Sequence, residues 1–143
     1  MIAYLDTSAV VPILIAEPSS DTCRRVWRDA DRLVSSRLTV VEAGAALAMA
    51  QRQGRITADE ERGAWANFLR IWPDVDVVEL TVDLALTAAS LAASMALRGY
   101  DAVHCAAATQ LQDRDLLAVA GDGRLLDAWR ALGVAVVDTR PLV

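Results

Sequence analysis

The sequence predicts an α/β fold in which a parallel sheet of about five strands carries helices on both faces. Three observations predict it. Short apolar runs of strand length recur along the chain, longer helical stretches separate them, and recognisable start and stop residues mark the boundaries.

Taken in order, Ile2–Leu5 is an apolar run at the very start and reads as a buried strand. A helix follows in the Ser8–Ala16 region, with Pro12 expected to delay it because proline lacks the amide donor. Glu17-Pro18-Ser19-Ser20 breaks the chain. Asp21–Arg32 then reads as helix and Leu33–Ser35 as the second strand. An alanine-rich helix spans Leu38–Gln53 and ends at Gly54. Thr57 and Glu60 form a Thr-x-x-Glu capping box that opens the next helix, which stops before Pro73. Val75–Leu80 is the third strand. Thr81 caps a helix running to about Arg98, with Gly99 as its stop. Asp101 opens a helix to about Gln112, Leu116–Ala120 is the fourth strand, Arg124–Leu132 the last helix and Val134–Val137 the fifth strand. The whole of 1–143 reads as one domain, with no repeat and no linker long enough to divide it.

Composition narrows the function classes. A hydrophobic fraction of 55% against 23% charged residues supports a packed core and argues against disorder. The longest nearly apolar stretch, Leu84–Leu97, is broken by Thr87, Ser90 and Ser94 and is too short to span a bilayer. The N-terminus has no basic region and Asp6 interrupts its apolar start, so no signal peptide is expected and the location is read as cytoplasmic. Cys23 and Cys105 lie far apart and outside any CxxC or CxxH arrangement, which disfavours a disulfide framework and zinc. Cys105, among alanines, reads as a small core residue. All 14 basic residues are arginine, which excludes chemistry that depends on a lysine, such as a P-loop or a Schiff base. The net charge of −5 weakens a nucleic-acid reading without excluding it, because local fields steer ligands.

Four carboxylates carry the functional argument. In an open parallel sheet, ligands bind beyond the carboxyl ends of the strands. Asp6 follows the first strand directly, Asp122 follows the fourth within Gly121-Asp122-Gly123, and Glu42 lies early in the helix after the second. Asp101 starts a helix that leads back into the fourth strand, so its N-terminus points to the same edge. Two helices share that crossover, which places Asp101 less firmly than the others. Each residue also has a plainer role. Asp6 and Asp101 suit helix caps, Thr39 and Glu42 fit a capping box, and Asp122 between glycines suits a turn. Against the capping role, Leu38, Ala45, Ala46 and Met49 surround Glu42 at helical spacing, where an unpartnered carboxylate is costly. Several carboxylates at one edge repel unless a cation joins them. Mg²⁺ or Mn²⁺ prefers such oxygen ligands and can activate water against a phosphodiester. Asp6, Glu42, Asp101 and Asp122 are therefore the candidate catalytic and metal-binding residues.

At these positions the chain resembles the PIN-domain family, and within it the VapC-type toxins of bacterial toxin–antitoxin pairs. The matching stretches are Tyr4–Ala9, Ser36–Glu42, Arg98–His104 and Gly121–Leu126, in the family's order and spacing. The resemblance implies a Rossmann-like fold and a Mg²⁺- or Mn²⁺-dependent endoribonuclease in which the four carboxylates match the family's acidic positions. Ser8 matches a polar position that orients the first aspartate, with Thr7 a weaker candidate. Gly121 departs from the pattern, since similar toxins often carry a bulkier residue there, and the local loop shape is left open. Asp122 matches a variable position that reaches the metal directly or through water. The resemblance further implies an RNA substrate, a homodimer, and a VapB-type antitoxin whose C-terminal segment fills the groove with a basic side chain near the carboxylates.

Other residues keep two readings. His104, the only histidine, suits a general base, but a partly buried histidine early in a helix is preferred because metal-activated water needs no histidine base. Arg98 and Arg124 either hold substrate phosphates or balance nearby carboxylates. Trp65, Phe68 and Trp72 line one helix face, as core or as a dimer or groove surface. Two other functions compete with the ribonuclease. One is a phosphatase with an aspartate nucleophile, disfavoured because Ser8 stands where a second aspartate is needed. The other is a PIN-fold binding module of weak or no activity.

Overall fold

The computed structural model describes residues 1–111 and 113–142. Its five strands are β1 (Ile2–Leu5), β2 (Arg32–Ser36), β3 (Val75–Val78), β4 (Leu116–Ala120) and β5 (Val136–Asp138). They form one sheet in the order β3-β2-β1-β4-β5, with every pairing parallel. Helices α1 (Thr7–Leu14) and α2 (Ser20–Asp29) connect β1 to β2. Helices α3 (Leu38–Arg52) and α4 (Ala58–Ile71), with a 3₁₀ turn at Trp72–Asp74, lead to β3. Helices α5 (Val82–Met95) and α6 (Gly99–Thr109) cross to β4, and α7 (Gly123–Ala131) precedes β5.

Strand pleating divides the core into two layers. Ala3 and Leu5 face α1–α4 together with Leu33, Val75 and Val119. Tyr4 faces α5–α7 together with Val34 and Ala118, its register partners on either side. Both faces of the central strands β1 and β4 are thus buried, which is why these two read as apolar runs without alternation. The sheet order reverses at β1, which sits between β2 and β4 and opens the crevice where such folds bind ligands.

Several boundaries differ from expectation. Pro12 lies inside α1 and is buried there; the helix starts at Thr7 rather than later, so its first turn is already formed before proline withholds a donor. α2 ends at Asp29 because Arg32 already pairs with Ile2 in the sheet. α5 stops at Ala96, which adopts left-handed geometry (φ 52°), while Gly99 begins α6 instead of ending α5. Asp101 is consequently the third residue of α6 and not its opener. β3 ends two residues early at Val78 and β5 starts two residues late at Val136. The expected end of the sixth helix at Gln112 lies outside the described residues. Thr39 and Glu42 form no capping box: α3 begins at Leu38 without a side-chain cap, and Thr39 instead hydrogen-bonds Ser35 at 2.8 Å. The capping box at Thr57 and Glu60 is present.

The aromatic face of α4 belongs to the core. Phe68 is fully buried and stacks between Trp65 and Trp72, both at 5.0 Å between ring centroids. Cys23 and Cys105 are buried free thiols. Among the described residues, no helix is long and apolar enough to cross a membrane.

Candidate functional site

Three of the four predicted carboxylates occupy helix N-termini, where the helix dipole favours negative charge. Asp6 caps α1, accepting from the Ser8 amide at 3.1 Å. Asp122 caps α7, accepting from the Leu125 amide at 3.0 Å. Asp101 lies in the first turn of α6. The cap read for Asp6 on the sequence is thus present, Asp122 caps a helix where a turn was the alternative, and Asp101 is not a cap, since Arg98 holds that position. Glu42 comes from the second turn of α3. Ala45 and Met49, expected to wall it in, are exposed; Glu42 is held instead by polar partners across the crevice.

Asp6 is buried, and its charge is supported from three directions. Ser8 donates to Oδ2 through both its amide and its hydroxyl, the latter at 2.6 Å, and His104 Nε2 lies 3.3 Å from Oδ1. The Ser8 hydroxyl in turn accepts from the Gly121 amide at 2.8 Å. Ser8 thus has the orienting contact expected of it. Gly121 sits in a tight place, since a Cβ there would lie 3.0 Å from Thr139 Oγ1 and 3.8 Å from Ser8 Oγ. A bulkier residue would not fit this loop as it stands. Thr7 proves as engaged as Ser8, but with the other carboxylate: its hydroxyl donates to Glu42 Oε1 at 2.8 Å.

Sequence reasoning undervalued His104. It is fully buried, not partly, and its Nε2 reaches Glu42 Oε1 at 2.6 Å as well as Asp6. Its Nδ1 meets the Tyr4 hydroxyl at 2.8 Å. The available signal was its place three residues after Asp101, one turn deeper on the same helix. Burial opposes a charge on His104, but Asp6 and Glu42 outweigh it and raise its proton affinity above the ordinary value. Burial likewise opposes the Glu42 charge, yet His104 and Thr7 hold its carboxyl below the usual range. Asp101 is displaced the other way: burial first, then the charges of Asp122 and Asp6, raise its pKa, and Arg98 only partly compensates.

Arg98 bridges the other two acids. Its Nε lies 3.5 Å from Asp101 and its terminal nitrogen 3.9 Å from Asp122, so it balances carboxylates. Two basic side chains therefore each span two acids, His104 between Asp6 and Glu42 and Arg98 between Asp101 and Asp122. Arg124 is exposed on α7 and lines a groove with Ser94, Met95 and Asp127. A residue not singled out on the sequence, Arg140, lays its guanidinium against the start of α7, 3.0 Å from where a Gly123 Cβ would stand.

Among the described residues, no three His, Cys, Asp or Glu side chains are set to hold a metal ion as they stand. The donor chemistry still suits a hard divalent ion: four carboxylates and two hydroxyls line the crevice, and the mutual repulsion of Asp101 with Asp122 and Asp6 is what such an ion would relieve.

A PIN domain family model matches residues 3–128. Ribonuclease VapC45 of Mycobacterium tuberculosis (strain CDC 1551 / Oshkosh) is 37% identical over 135 residues, 94% of each chain. Among solved structures, VapC20 of Mycobacterium tuberculosis, described as a Sarcin-Ricin loop cleaving toxin, superposes with a TM-score of 0.69 at 21% identity, covering 97% of this chain and 99% of that one. DNA-bound VapBC from Salmonella typhimurium gives a TM-score of 0.66 at 17% identity over 98% and 99% of the two chains. The last two likenesses concern the fold.

Proposed function

The chain belongs to the PIN domain family, with VapC ribonucleases among its relatives, and from that premise we propose that it is a Mg²⁺- or Mn²⁺-dependent endoribonuclease, the toxin of a toxin–antitoxin pair. The observation that carries the reading is the gathering of Asp6, Glu42, Asp101 and Asp122 beyond the carboxyl ends of the strands, with Asp101 under like-charge repulsion.

Asp6, Glu42, Asp101 and Asp122 are the residues that would hold the ion. Once bound, it supplies a Lewis acid that eases deprotonation of water and neutralises charge on the scissile phosphate. The chain's own side chains do the rest. Ser8 fixes Asp6 through Oδ2, Thr7 fixes Glu42 through Oε1, and Arg98 balances the charges of Asp101 and Asp122. Because Arg98 is 71% exposed, it would also be within reach of an RNA phosphate.

The same reading includes a VapB-type antitoxin as partner, a homodimeric toxin and a cytoplasmic location. It is tested by cleavage of structured RNA with Mg²⁺ or Mn²⁺, with chelator, and with Asp6→Ala. Cleavage that needs the ion and disappears in Asp6→Ala supports the assignment. Equal activity in wild type and Asp6→Ala overturns it. A second reading, a PIN-fold binding module without activity, draws on the pairing of all four acids with His104 and Arg98. Calorimetry showing no Mn²⁺ binding, together with no cleavage of a broad RNA panel, would favour it.

A further inference from the structure

Resting on that reading, we propose that His104 is a positioning residue: anchored by Tyr4, it presents Nε2–H as a clamp that holds Asp6 and Glu42 in fixed orientation at the site where a divalent cation would bind.

The observation is a buried relay that joins three elements. Tyr4 comes from β1, His104 from α6 and Glu42 from α3. Tyr4 and His104 are both fully buried, with the phenol oxygen 2.8 Å from Nδ1. The Tyr4 ring is braced edge-on against His104 at 6.0 Å and against Trp129 at 5.9 Å, which fixes where its hydroxyl points. On the far side of the imidazole, Nε2 lies 2.6 Å from Glu42 Oε1 and 3.3 Å from Asp6 Oδ1.

Counting hydrogens decides the direction of the relay. Glu42 and Asp6, as carboxylates, only accept, so the nitrogen between them must donate. In the neutral ring this leaves Nδ1 as an acceptor for the Tyr4 O–H. In the charged ring Nε2 carries a hydrogen as well. Nε2–H is the donor in both states, so the clamp does not depend on titration. The tautomer with its hydrogen on Nδ1 would turn a lone pair towards two carboxylates and is excluded. Without the clamp, Asp6 and Glu42 would face each other across the crevice with nothing between them until an ion arrived. Glu42 also commits only Oε1 to His104 and Thr7, which leaves its other oxygen for a ligand.

Two substitutions separate positioning from packing. A glutamine amide reaches about as far as Nε2, and an asparagine amide about as far as Nδ1. His104→Gln keeps a donor for the two acids, and His104→Asn keeps only the Tyr4 side. Mn²⁺ affinity by calorimetry and kcat on structured RNA are measured for both, with thermal denaturation as a check on folding. His104→Asn is expected to lose roughly 10- to 100-fold in Mn²⁺ affinity, the usual cost of removing a residue that orients metal ligands, with His104→Gln restored to within about threefold. KM for RNA should move little.

The wild-type chain supplies an independent readout. His104 is the only histidine, so its ring ¹⁵N resonances need no further assignment. They should report hydrogen on Nε2, and the Nε2–H resonance should shift as Mg²⁺ is added. Hydrogen on Nδ1 in the neutral ring, or His104→Asn binding Mn²⁺ and cutting RNA as well as an active wild type, overturns the inference and leaves the proposed function standing. A wild-type chain that neither binds Mn²⁺ nor cuts RNA overturns both.

Discussion

The Gly121 amide donates to Ser8 Oγ at 2.8 Å, and the same hydroxyl donates to Asp6 Oδ2 at 2.6 Å. This two-step chain crosses from the end of β4 to the end of β1, the two strands that flank the crevice. It ties the loop that carries Asp122 to the carboxylate most deeply buried at the site. The orientation of Asp6 is therefore a property of two strand ends together.

That relationship makes Gly121→Ala informative. The added methyl would meet Thr139 Oγ1 at 3.0 Å. Overpacking of this kind costs about 1–3 kcal/mol. Urea denaturation should place Gly121→Ala in that range. Gly63→Ala, where nothing stands within 4 Å of the new Cβ, should be neutral or slightly stabilising, because alanine is the better helix former.

Arg98→Ala should bind Mn²⁺ more tightly than wild type. The arginine pairs with Asp101 and Asp122 at 3.5 and 3.9 Å while remaining largely exposed, so it competes with the ion at the modest strength of a solvated pair. Losing ~0.5–1 kcal/mol of competition raises affinity roughly two- to fivefold. Calorimetry reads this directly, and unchanged or weaker Mn²⁺ binding would contradict the role given to Arg98.

Tyr4 gives the alkaline limb of stability a definite sign. Burial first, and then the charges of Asp6 and Glu42, raise its pKa well above 10.0. The folded chain therefore holds the phenolic proton more tightly than the unfolded one. Its contribution is complete below the unfolded pKa and is lost as pH rises through the folded value. The Tyr4 phenolate absorbance should appear only together with unfolding. Above pH ~10, where a free tyrosine ionises, stability should fall less steeply in Tyr4→Phe than in wild type.

Neighbouring residues on α4 should behave oppositely. Phe68 is fully buried between two tryptophans, whereas Leu69 is 53% exposed. Phe68→Ala is expected to cost about 3–5 kcal/mol by leaving a cavity. Leu69→Ala should change stability by no more than about 0.5 kcal/mol. Chemical denaturation of the two variants checks the contrast.

What the sequence determined by itself was the order and kind of the elements and the edge at which the acids gather. These are local matters. Apolar runs mark strands, Thr57 with Glu60 and Thr81 mark helix starts, and an acidic residue directly after a strand lies at its carboxyl end. Even locally, tertiary context overrode propensity at Ala96, which took the left-handed turn that Gly99 was expected to supply. The tertiary structure alone decided who partners whom. His104 meets Glu42 across 62 residues of sequence and Tyr4 across 100, and Gly121 meets Ser8 across 113. A helical position states which face a side chain occupies, but not what another element brings against that face. For that reason His104 looked like a partly buried histidine in the sequence, while in the folded chain it is fully buried and its Nε2 lies between Asp6 and Glu42.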